Sequence, residues 1–210
     1  MKTTFTFDIK KAMKGFDDLE KKQIPFAVSK AFNAIAFKTK KHIEKKMDKT
    51  FDGGATRWTR SSVKYKGGTK YNPDAYVYAD LEKAPYLKTM IDGGTVRPLG
   101  TNKRLHQPVN IRLNKYGNVS YSGGTSTIAK KLSSNPAFFV GRPKSKGKPS
   151  EFGLWRRFKR KGPKLIMSME KKSRRQKKVF HGYRAARGFV KRNIRQEFDL
   201  QFKKAFANRK

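Results

Sequence analysis

The chain has 210 residues, 52 of them Lys or Arg and 15 Asp or Glu, for a formal charge of +37 and no cysteine. Disulfides and thiolate metal sites are thereby excluded, and 36% hydrophobic residues with 16 Phe and 8 Tyr argue against a wholly disordered chain. No run approaches 18 apolar residues and the opening MKTTFTFDIKKAMK lacks the apolar core of a signal peptide, so neither a membrane span nor export is expected.

In chain order, Phe5, Phe7 and Ile9 alternate with polar residues, the pattern of a short strand. Asp8 as a cap before Ile9, Ala12, Met13, Phe16 and Leu19 favours a helix instead. Ile24-Pro25 opens a second helix, with Pro25 in its first turn. Val28, Ala31, Phe32, Ile35, Ala36, Thr39, Ile43 and Met47 form its buried stripe, Lys30, Lys38, Lys41 and Lys45 its wet face, and Gly53-Gly54 its stop. Residues 62–66 and 75–81 read as a hairpin around KGGTKYNPD, and Tyr86 to Ile91 as a short helix closed by Gly93-Gly94. Val96 to Gln107 reads as a loop, 110–121 as two short strands around NKYGN, and Thr125 to Leu132 as a short helix. Phe138 to Val140, Gly153 to Phe158 and Leu165 to Met169 are strand-like, with SKGKPS as a flexible arm or hairpin tip. Tyr183, Ala186, Val190, Ile194, Phe198, Phe202, Ala205 and Phe206 mark a closing helix. The expected fold is α+β: one domain over 1–210, a small antiparallel sheet packed by long N- and C-terminal amphipathic helices, with a basic arm or hairpin over 142–178.

That basic segment is the strongest functional signal. Arg142 to Lys178 holds sixteen Lys or Arg and two acids, Glu151 and Glu170, an excess of fourteen cations. Charge this one-sided repels itself unless a polyanion or acidic surface lies beside it. The contact candidates are Arg156, Arg157, Lys159, Arg160, Lys161, Lys164, Lys171, Lys172, Arg174, Arg175, Lys177 and Lys178. Trp155 and Phe158 lie among them, either as aromatics that stack on bases or as anchors of a strand. No zinc-finger, RRM or KH pattern is present, so base reading is not indicated.

Catalytic chemistry finds little support. His42, His106 and His181 lack ligand spacing, and HExxH, P-loop and GxSxG patterns are missing. The Gly pairs at 53, 67, 93 and 123 read as turns. A magnesium nuclease would need at least two of Asp74, Asp80, Glu82 and Asp92 to converge. A non-enzymatic protein without cofactor or metal is the expectation.

A set of short segments, in order, carries a family resemblance. They are DIKKAMKGFDDLEKKQIPFAVSKAFNAIAFKTKKHIEKKM (8–47), FDGGATRWTRSSVKYK (51–66), YLKTMIDGGTVRP (86–98), KYGNVSYSGG (115–124), FFVGRPK (138–144) with GLWRRF (153–158), and VFHGYRAARGFVKRNIRQEFDLQFKKAF (179–206). In this order the chain resembles the minor tail protein Z-like, or tail-completion (neck), proteins of tailed bacteriophages. It departs from them in the insert-like KSKGKPSEF (144–152) and in its charge. The resemblance implies a structural virion protein that completes the tail or joins it to the head connector. It implies a homo-oligomeric ring around the DNA channel, hexameric or 12-meric, with neck, connector and tail proteins as neighbours and double-stranded DNA passing non-specifically. The implied location is the virion, with assembly in the host cytoplasm and no membrane. The alternative is a sequence-independent nucleic-acid-binding protein that packages or condenses DNA.

Overall fold

The computed structural model describes residues 2–5, 18–96, 104–119, 134–143, 151–171 and 173–207. The chain divides into two compact units, Met1–Asp92 with Lys178–Lys210, and Gly93–Lys177. Its class is α+β, with long helices toward both ends and small antiparallel sheets.

In the first unit β1 (Lys2–Phe5), β3 (Ala75–Ala79) and β2 (Val63–Lys66) form an antiparallel sheet in the order β1-β3-β2. The long helix α1 (Asp18–Thr50) packs on β2, β3 and the closing helix α4 (Gly182–Ala207). All eight residues of the predicted α1 stripe, from Val28 to Met47, are buried. Phe32 meets Phe198 of α4 edge to face, with ring centroids 5.4 Å apart. Gly53 and Gly54, at φ +72° and +85°, take the left-handed backbone that ends the helix cheaply. The short helix α2 (Arg57–Ser61) is capped by Thr56, whose hydroxyl accepts from the Thr59 N–H at 3.1 Å. In the β2–β3 loop Asn33 brackets Gly68, donating to its carbonyl at 3.0 Å and accepting from its N–H at 2.7 Å. A Cβ on Gly68 would lie 2.2 Å from the Pro73 backbone, so this loop requires glycine. The helix α3 (Tyr86–Asp92) runs up to Gly93, as expected.

In the second unit β4 (Gly94–Val96) pairs with β9 (Arg174–Gln176). The main sheet comprises β5 (Leu105–Pro108), β6 (Phe138–Gly141), β7 (Gly153–Arg156) and β8 (Lys164–Glu170), antiparallel in the order β5-β8-β7-β6. Leu154 pairs with Met167 and Trp155 with Leu165, so Ile166 is skipped as a bulge in β8.

Four expectations are corrected. Helix α1 opens at Asp18, not at Ile24, so Pro25 lies inside it. Ile24, Ala27 and Val28 are buried around that proline, and packing carries the helix past the missing N–H. Leu105 to Gln107, read as the end of a loop, belong with Pro108 to a strand because β8 offers an open ladder edge, and Pro108 at its end is tolerated there. Among the described residues, the two strands around NKYGN reduce to one bridge, Leu113 to Val119, over a turn in which Asn114 Oδ1 accepts from the Tyr116 and Asn118 N–H groups. Tyr183, placed on the α4 stripe, is 53% exposed. Of the expected helix from Ile9 to Leu19, residues 9–17 lie outside the described residues and Leu19 belongs to α1; the expected helix at 125–132 and the SKGKPS tip also lie outside them, while Lys2–Phe5 is a strand.

Candidate polyanion interface

The basic run is built into the sheet rather than appended to it. β7 and β8 are the two central strands, and their connection carries Arg157, Phe158, Lys159, Arg160 and Lys161. With Arg156 and Lys164 at the strand ends, six cations sit on one hairpin tip, and all six are exposed. Gly162, at φ +68°, turns the chain back toward β8.

The two arginines are oriented by aromatic rings. Arg156 lies 5.5 Å from the Phe138 ring and 5.0 Å from Phe158, while Arg157 lies 4.3 Å from Phe139. Arg157 also donates from Nη1 to the Pro136 carbonyl at 2.8 Å and from its backbone N–H to Ala137 at 2.7 Å. These contacts fix the guanidinium groups without neutralising them. Among the described residues no carboxylate pairs with any of the six tip cations. Arg156 faces Lys164 directly across the β7–β8 ladder, a like-charge pair that opposes the sheet.

Trp155 is half-buried, and its indole N–H is shared between the Gly141 carbonyl at 3.1 Å and the Glu151 carbonyl at 3.3 Å. That is the arrangement of a strand anchor. Phe158 is 39% exposed, with its ring against Arg156.

The other candidates lie elsewhere. β8 runs from Lys164 to Glu170, a separation of about 20 Å at the usual rise per residue. Beyond it stand Lys171, Arg174, Arg175 and Lys177, exposed around β9, then Lys178, exposed at the return to the first unit. Lys172 lies outside the described residues. The run read as one patch is therefore two clusters. Both of its acids belong to the end away from the tip, where Glu151 and Glu170 line a cavity of about 620 Å³ with Arg104, Arg142 and Lys171. Arg104 was missed by sequence because it lies far upstream. It stacks 3.9 Å over the Phe152 ring and donates to the Met169 carbonyl at 3.2 Å.

Another missed residue is Glu197, 3% exposed inside α4 and ion-paired with Lys38 of α1. Burial pushes its carboxyl up, but hydrogen bonds from Lys38 and Gln201 and the nearby lysine charges outweigh that and hold it below the usual range. Of the acids considered for a nuclease, Asp80 is committed to Lys64 at 2.6 Å and to the Lys83 N–H at 3.0 Å. The Lys64 hydrogen bond, then the backbone N–H, lower its pKa. Among the described residues no three His, Asp or Glu side chains gather as a metal site, and no helix is long and apolar enough to cross a membrane. Comparison with protein-family models, curated proteins and solved structures gives no match for this chain.

Proposed function

We propose that the chain is a structural subunit of a tailed-phage neck, a tail-completion protein that forms a ring around the DNA channel and sets its β7–β8 tip against a polyanion. The observation that carries this reading is the tip itself: six exposed cations, no carboxylate partner among the described residues, and a root in the two central strands of a sheet. The ordered segment resemblance supplies the assembly. A hexamer would gather six such tips, and complementarity of that kind chiefly sets docking rate and register. The partner is the DNA in the channel or an acidic neighbouring ring.

Reversing Arg156, Arg157, Arg160 and Lys161 to Glu in the phage that carries the gene tests this. Tailed particles and infectivity are expected to fall while the purified variant keeps its folded spectrum. Normal particle counts would overturn the reading. A second reading, a free DNA-condensing protein, is favoured by the exposed ring of Phe158 beside Arg156. It predicts duplex affinity whose logarithm falls by about 0.9 per phosphate contact with each decade of salt. A chain that ignores duplex DNA at moderate salt excludes it.

A further inference from the structure

The sequence scatters His42 and His181 far apart, yet the first unit brings both to one cavity of about 330 Å³, together with Lys46, Arg184 and Arg192. Among the described residues no Asp or Glu lines it. The acids of the adjoining α1 turns are engaged elsewhere: Glu44 with Lys40 and Lys41, and Asp48 with Arg60. Lys46, Arg184 and Arg192 have no carboxylate partner among the described residues.

The cavity also takes in the start of α4. That 26-residue helix carries no acid in its first turn, and its first N–H groups have no preceding helical carbonyl. The positive end of the helix dipole and the arginine at position 184 therefore add their charge. Arg192 folds back toward the same end. A Cβ placed on Gly188 would lie 3.4 Å from Arg192 Nη1, so the bare glycine leaves room for the guanidinium.

We infer that this cavity is an anion site for a phosphate group, in which Lys46, Arg184 and Arg192 supply charge and His42 and His181 supply ring N–H donors. The inference is independent of the hairpin tip. His42 reports on occupancy. It stacks on Phe189 with centroids 4.5 Å apart. Burial first, then the charges of Lys46, Arg192 and Lys45, push its pKa below the usual histidine value. An anion among those cations offsets their repulsion and moves the His42 titration upward.

The chain has three histidines, so imidazole proton resonances can be followed by NMR, with His106 of β5 as the internal reference. Pyrophosphate is titrated at constant ionic strength against the full chain, against R184Q/R192Q, and against R156Q/R157Q/R160Q/K161Q at the tip. Saturable shifts of His42 and His181, with His106 unmoved, are expected in the full chain and in the tip variant. Binding should weaken at least about tenfold in R184Q/R192Q, on the usual scale of charged hydrogen bonds. Both arginines are exposed, and an unchanged circular dichroism spectrum shows that the variant folds. A short DNA duplex that displaces pyrophosphate identifies the phosphate as nucleic-acid backbone; no displacement identifies a free oligophosphate. Shifts shared equally by His106, shifts retained in R184Q/R192Q, or no saturation would each overturn the inference.

Discussion

Among the described residues, the two compact units differ most in how little the second one buries. The helical unit holds a continuous cluster that includes Ile24, Val28, Phe32, Ile43, Met47, Val63, Val77, Leu87, Ile91 and Phe180. In the sheet unit, among the described residues, the buried hydrophobic side chains are Leu154 and Met167. Its other fixings are ladder hydrogen bonds and side chains bonded to backbone, as at Trp155, Arg157 and Arg104. The difference teaches a division of labour. Cohesion is concentrated where α1 and α4 meet, and concentrated charge is carried on a scaffold that buries little.

The comparison can be broken most forcefully in the core. Phe32→Ala should cost about 3–5 kcal/mol, since it empties a buried ring site against Phe198. Urea unfolding followed by circular dichroism measures it, and a loss under 1 kcal/mol on the order of a surface substitution would contradict the core assignment. Leu154→Ala should cost about 2–4 kcal/mol. Hydrogen exchange should show that loss in β6, β7 and β8, with α1 and α4 still protected. Equal loss in both units would mean that they open as one, and the contrast would fail.

Glu197→Gln ranks next, at about 1–3 kcal/mol at neutral pH, because a buried carboxylate loses its charged bond to the half-exposed Lys38. Its carboxyl titrates below the usual range, so the folded chain holds the anion more tightly than the unfolded chain does. That stabilisation is present above the unfolded value of about 4.3 and is lost as pH falls through the lower folded value. The gap in stability between Glu197→Gln and the parent chain should therefore close on acidification, as checked by thermal unfolding across a pH series. The smallest effect is expected at the tip. Lys164→Gln should leave stability within about 0.5 kcal/mol, or raise it slightly, since a like-charged neighbour of Arg156 is removed. A clear loss in thermal midpoint would show that the tip cations help hold the sheet.

The core side of this contrast was legible in sequence. The α1 stripe repeats at three- and four-residue steps over a long span, and each of its residues is buried. Strand positions 138–140 and 165–169 were equally readable from their apolar runs. Leu105–Pro108 was not, because LHQP has no alternation of its own and owes its strand to the β8 edge. Glu197 was hidden because an acid between cationic and apolar residues looks like solvated charge until Lys38 arrives from another helix. The basic run showed its charge but not its geometry. Composition cannot reveal that β8 separates its two clusters, nor that Glu151 and Glu170 gather with the cations of only one of them.

The Ile166 bulge has a reciprocal consequence. By skipping one residue it sets Lys164 opposite Arg156 instead of one position further along. The like-charged pair at the tip thus works against its own ladder. Whatever negative charge settles over that pair removes the repulsion, and a ligand that prefers the closed ladder must, by linkage, strengthen it. If the proposed polyanion binds there, occupancy and stiffness of the hairpin become one equilibrium: amide exchange in β7 and β8 should slow on binding, and a looser ladder should bind less tightly.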